Sequence, residues 1–187
     1  MARAAVVGLA IACGTTTLAG QAPAPEAFTA TASVKQGQAS ASFPVRVSVT
    51  RWASDSERDA IRAAAKKGGD AIHHALGGMT DAGFVEVGTQ RTPIKFAGQR
   101  DTGGGGRLVT VATAAPILFL GAGLPDAKPR AGFDSALVIL VLSGGSGGTG
   151  ELAPAAKIGI NESGALVTTD YASAVVLLNN VSRVPPK

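Results

Sequence analysis

Phe28, Thr29, Ala30, Thr31, Ala32, Ser33 and Val34 alternate apolar and polar residues without a break. After Lys35-Gln36-Gly37-Gln38 the alternation resumes at Ala39, Ala41, Phe43, Val45, Val47 and Val49. A period of two places every apolar side chain of a segment on one face of an extended chain, so each segment reads as a half-buried strand. Joined by a short polar link, the two predict an antiparallel hairpin with one wet face. Pro44 lies on the polar side and has no N–H for a ladder, which places that part of the second strand at an edge or a bulge.

Outward from this hairpin the pattern changes once and then returns. Ser54-Asp55-Ser56-Glu57 is a capping box ahead of a helix-forming run from Arg58 to Lys67, stopped by Gly68-Gly69. Asp70 stands where it would cap a shorter helix with Ile72 and Leu76 on one face, ended by Gly77-Gly78. Short apolar runs between turns then follow at 84–87, 94–97, 108–113, 136–142, 156–160, 166–169 and 174–181. Each predicts a strand. The run from Ala136 to Leu142 carries no polar alternation and reads as a central strand buried on both faces. Gly103 to Gly106, Gly144 to Gly150 and Asn161-Glu162-Ser163-Gly164 read as turns. The expected fold is α+β: a mostly antiparallel sheet of short strands, with two short helices inserted after the first hairpin and packed on one face.

Composition agrees with a single buried core. The chain has 187 residues, 45% hydrophobic and 16% charged, which suits one folded domain and excludes the charge-rich disordered class. The net charge is +4, but the basic residues are scattered, with no face-wide cluster and few aromatics to interleave. Nucleic acid is therefore not expected as a partner.

The N-terminus has the layout of an export signal: Met1-Ala2-Arg3, then an apolar stretch from Ala4 to Cys13. That stretch is about half the ~20 residues a membrane-spanning helix needs. Residues 1–22 read as the signal segment, 23–27 as a Pro/Ala linker and 28–184 as one globular domain. Cys13 is the only cysteine, and the stretch 10–13 resembles a bacterial lipobox, which would make Cys13 a lipid attachment point and a lipid the only tie to a membrane. Cleavage near Ala19 or Ala22 would instead release a free periplasmic or secreted domain. Either way the domain holds no disulfide and no thiolate metal site.

Motifs that would carry chemistry lack their context. Gly144-Gly145-Ser146-Gly147-Gly148 fits the nucleophile-elbow pattern after an apolar strand, but both histidines lie upstream, at His73 and His74. Gly145-x-Gly147-x-x-Gly150 with Asp170 fits a dinucleotide fingerprint, yet no helix pattern opens there. Adjacent histidines on a helix point about 100° apart, so the pair is a poor metal grip. Asp70 and His74 are spaced to share a helix face. No catalytic residue, metal or cofactor is expected. The binding candidates are Arg51 and Trp52, a pair at the end of the second strand.

Arg51-Trp52-Ala53-Ser54 with Glu57-Arg58-Asp59, then Gly69-Asp70-Ala71, a Gly-rich turn before Arg107-Leu108-Val109, and a late Leu-Val-Ile-Leu strand before Lys157-Ile158 form an ordered set. In this order the chain resembles a family of exported bacterial proteins of unknown function, over most of its mature length. It departs from that pattern at Gly144 to Gly150, where an acidic and lysine-bearing turn is expected. The resemblance implies export and one domain, and transfers no activity or site residue. The functional expectation is a non-catalytic envelope module that binds or supports an envelope component. Its alternatives are an envelope hydrolase assembled from Asp70, His74, Asp101 or Asp170, and a carrier of small apolar ligands.

Overall fold

A computed structural model describes residues 23–36, 39–68, 70–117, 130–144, 147–172 and 175–185. Cys13 and Ser146 lie outside these residues, as does the signal segment. The described chain runs β1 (Glu26–Gln36), β2 (Ala39–Val49), α1 (Asp55–Lys67), α2 (Ala71–Gly77), β3 (Gly83–Val87), β4 (Gln90–Gly103), β5 (Gly106–Thr113), β6 (Ser135–Leu142), β7 (Gly148–Ile160), β8 (Leu166–Tyr171) and β9 (Val176–Val184).

All described pairings are antiparallel, in the order β6-β5-β4-β3-β2-β1-β9-β7-β8. A further pairing, β6 with β7, joins the order back on itself. Eight strands therefore close a barrel, and β8 stands outside the ring on the far part of β7. This corrects the expected α+β sheet with two faces and two edges. Period-two alternation reports which side chains face inward, and it is the same in an open sheet and a closed one. What differs is the partner found by the last strand, and full closure removes the edges that an open sheet must protect.

The seam explains why closure was hidden. The glycine-rich stretch expected to be a turn up to Gly150 does not stay a turn, because β7 begins at Gly148. A Cβ at Gly148 would lie 2.3 Å from the carbonyl oxygen of Val141, and one at Gly150 would lie 2.6 Å from that of Ile139. These glycines are strand residues chosen for close backbone approach to β6. Ala136–Leu142 is a central strand, as its sequence suggests, with β5 on one edge and β7 across the seam on the other.

Inward side chains fill the axis. Phe28, Ala30 and Ala32 of β1 meet Val45, Val47 and Val49 of β2, Val85, Ile94, Val109 and Val111, Val138 and Leu140, Leu152, and Leu178 and Val181 in one buried cluster. An eight-stranded barrel is just wide enough for its own side chains, and small residues such as Ala30 and Ala32 leave room for Phe28. On β9 the inward positions skip from Leu178 to Val181 because Asn180 takes a left-handed conformation (φ 53°) where the register shifts. β2 pairs with β3 only from Val45 onward, so Pro44 lies beyond the β3 ladder, where its missing N–H costs nothing.

One end of the barrel is closed by charge. Glu26 continues the inward row of Phe28, and Arg107 the inward row of Val109. Arg107 grips Glu26 through two hydrogen bonds, 2.9 Å and 2.5 Å, and donates a third to Gln99 Oε1 at 2.7 Å. Arg183 adds a longer contact to Glu26 at 3.4 Å. The Arg107 hydrogen bonds hold the Glu26 carboxyl below the usual carboxylate range despite its burial, and raise Arg107 further above its already high value.

The two helices lie against the outside of the barrel. Ser54 and Glu57 form the capping box reciprocally, and Ile61, Ala64, Ile72 and Leu76 pack on outward side chains of β4 to β8, namely Phe96, Ala112, Leu137, Ala153, Ala156 and Leu166. No helix among the described residues is long and apolar enough to cross a membrane.

Candidate functional site

The stretch Arg51-Trp52-Ala53 is spent on the fold. Arg51 donates to Glu57 Oε2 at 2.9 Å, to the carbonyl of Asp81 at 3.2 Å and to that of Thr80, tying the start of α1 to the chain ahead of β3. Its hydrogen bond also holds Glu57 below the usual carboxylate range. Trp52 is buried with the barrel-interior cluster and donates its indole N–H to the carbonyl of Ala24 at 3.0 Å, anchoring the end of the Pro/Ala linker. Ala53 N–H bonds the carbonyl of Ala97 at 2.7 Å. These contacts give both residues a structural role at their positions.

The two histidines face different surroundings. His73 Nδ1 lies 3.1 Å from Ser135 Oγ, while His74 is exposed and meets the His73 ring edge-on at 5.9 Å between centroids. Ser135 is itself only 3% exposed. His73, Asp70, Asp134, Ser135 and Lys157 line a polar hollow of about 220 Å³ beside α2. Of Asp70, His74, Asp101 and Asp170, Asp70 alone reaches it. Asp170 sits on β8, where its carboxylate accepts the Tyr171 N–H at 2.9 Å, and Asp101 is on β4 in register with Arg107. Among the described residues no three His, Cys, Asp or Glu side chains converge as a metal would require.

A groove with an apolar floor lies under α1. Arg58, Ile61 and Arg62 occupy one face of that helix by the i, i+3, i+4 rule and look onto the outward residues of β4 and β5: Phe96, Gly98, Arg100, Leu108 and Thr110. The turn from Ser163 to Leu166 closes one side, giving a groove of about 250 Å³. Two glycines shape it. A Cβ at Gly98 would approach Phe96 Cε1 to 3.0 Å, so the missing side chain lets the Phe96 ring lie across the strand as the floor. Gly164, at φ 75°, brings the turn to within 3.3 Å of Arg62 Nε, measured from where its Cβ would be.

Three guanidinium groups stand around this floor. Arg58 pairs with Asp55 and Arg62 with Asp59, each at 2.7 Å across one helical turn, with both carboxylates mostly in water. Such exposed pairs are worth about 0–1 kcal/mol and exchange readily. Arg100 is exposed and makes no ion pair or side-chain hydrogen bond among the described residues. The arrangement offers apolar contact with positive charge at its rim.

None of these groove residues was read from the sequence as a binding residue. Their signal was present but ordinary: Arg58, Ile61 and Arg62 at helical spacing, and Phe96, Gly98 and Arg100 at every second position. Neither pattern says that helix and strand face each other. Comparison of the chain with protein-family models, with characterised proteins and with solved structures found no match.

Proposed function

We propose that this protein is a non-catalytic binding module of the bacterial cell envelope, exported by its N-terminal segment, and that it takes a small, largely apolar ligand in the groove under α1. The observation that carries this reading is the groove itself: an apolar floor of Ile61, Phe96, Leu108 and Leu166, kept open by Gly98 on the outside of a barrel whose axis is packed with side chains. Its volume falls just under the ~300–1,000 Å³ of typical small-molecule sites, which suits a small ligand. Export and release, or tethering through Cys13, account for the signal-like N-terminus.

Native mass spectrometry of freshly purified mature protein, with intact mass and cell fractionation, tests the whole reading. A retained or added apolar molecule that protects amides of α1, β4 and β5 from exchange supports it. Turnover of simple ester, peptide or glycoside substrates, lost on His73→Ala, would replace it with the hydrolase reading, for which the His73–Ser135 contact is the nearest arrangement. The depth of Ser135 counts against that alternative, because a nucleophile must meet its substrate.

A further inference from the structure

We infer that the groove selects a single-chain amphiphile with an anionic head, a medium-chain alkyl carboxylate, held by Arg100 together with Arg62 and Arg58; the inference rests on the groove being a binding site and names its ligand class. The floor and the rim make different demands. Ile61, Phe96, Leu108 and Leu166 present hydrocarbon and one aromatic ring, so the body of the ligand is apolar. The volume of about 250 Å³ lies below the ~300–1,000 Å³ of typical small-molecule sites, so the body is a short chain and not a two-tailed lipid.

At the rim every charged side chain lining the groove is an arginine. Guanidinium binds a carboxylate through two parallel N–H···O bonds, and Arg100 has no carboxylate of its own among the described residues. Asp55 and Asp59 do not line the groove, and their exposed pairs leave Arg58 and Arg62 free to turn toward an incoming anion at little cost. A cationic head would meet three like charges, and a neutral head would leave the arginines unused.

The test is titration of the mature, ligand-stripped protein with octanoate and, separately, with octanol, followed by amide shifts in ¹H–¹⁵N spectra. Octanoate is expected to saturate with shifts centred on α1, β4 and β5. Octanol is expected to bind at least tenfold more weakly, and 0.5 M salt to weaken octanoate alone. Arg100→Glu, a change at an exposed position, is expected to lower octanoate affinity at least tenfold and leave octanol unchanged. Gly98→Leu fills the groove and is expected to abolish both. Equal affinity for octanol and octanoate, unaltered in Arg100→Glu, would refute the anionic head while leaving a binding groove in place. If neither probe perturbs α1, β4 and β5, or if Gly98→Leu is folded and binds as the wild type does, both the ligand class and the binding reading fall.

Discussion

Replacing Glu26 by Gln removes one negative charge from the closed end of the barrel while keeping the side-chain shape. Arg107 then loses its hydrogen-bonded counterion and keeps only the looser attraction of Asp101, and Arg183 loses its contact with Glu26. Breaking a buried ion pair from one side costs about 3–5 kcal/mol when the remaining charge is fully buried. Here the Glu26 side chain is 7% exposed, but Arg107 is 22% and Arg183 65% exposed, so water recovers part of the loss. A cost of about 2–3 kcal/mol is expected, since the pair lies at the rim and not in the axis. For a domain of this size that lowers Tm by about 5–10 °C. The pH dependence separates charge from packing. Glu26 has its pKa lowered in the folded state, chiefly by the Arg107 hydrogen bond, so its contribution is complete above the unfolded value of about 4.3. It is lost as the pH falls through the lower folded value. The wild type should therefore lose more Tm than Glu26→Gln as the pH falls below about 5, and the two should converge in acid. Scanning calorimetry at pH 7 and through that range measures both. A Glu26→Gln protein within about 1 °C of wild type at pH 7, or parallel pH profiles, would refute the ion pair as the closure of this end.

Gly150→Val places a branched side chain where a single Cβ already lies 2.6 Å from the Ile139 carbonyl, so the β6–β7 seam opens; loss of slow-exchanging amides in β6 and β7 should precede loss elsewhere. Trp52→Phe keeps most of the ring volume but removes the indole donor to Ala24, and should cost about 1 kcal/mol in urea unfolding, with the linker at 23–25 becoming easier to cleave by protease. Ser54→Ala loses one half of the capping box on α1 and should cost about 1 kcal/mol by the same measurement; a change below about 0.3 kcal/mol would mean that packing of Ile61 and Ala64 alone holds the helix.

The local elements were largely legible, and the way they join was not. The hairpin of β1 and β2, the capping box at Ser54 and the stop at Gly68 each follow from residues adjacent in sequence, and each is present. Barrel closure depends on β6 meeting β7 on the edge opposite β9, which no local pattern expresses. The uninterrupted apolar run from Ala136 to Leu142 gave the correct sense of two-sided burial over its first part, with Leu137 under the helices and Ala136 and Val138 inside. Its central place between two strands also holds, but burial on both faces fails at Val141, because an exposed valine on the outer face looks the same in sequence as a covered one. The groove was missed for a related reason: its residues mix charged, polar and apolar types, and only packing of α1 across β4 and β5 brings them together.

Glycine shows the difficulty most sharply, since one residue type performs three tasks here that composition merges into one. Gly104, at φ 57°, turns the chain between β4 and β5 and is the use that clustered glycine suggests. Gly148 and Gly150 are extended residues that let two strands approach, and they close the barrel. Gly98 is again a strand residue, but the space it leaves is filled by the ring of Phe96 and becomes the floor of an open groove. The tasks are separable by substitution. A residue at 104 must tolerate a left-handed backbone, at 150 any Cβ meets a backbone carbonyl that cannot give way, and at 98 it meets only the ring of Phe96, which can shift. Gly98→Ala should therefore fold with a modest loss of stability as the Phe96 ring shifts by a few tenths of an ångström, whereas Gly150→Ala, facing a backbone carbonyl, should already loosen the seam.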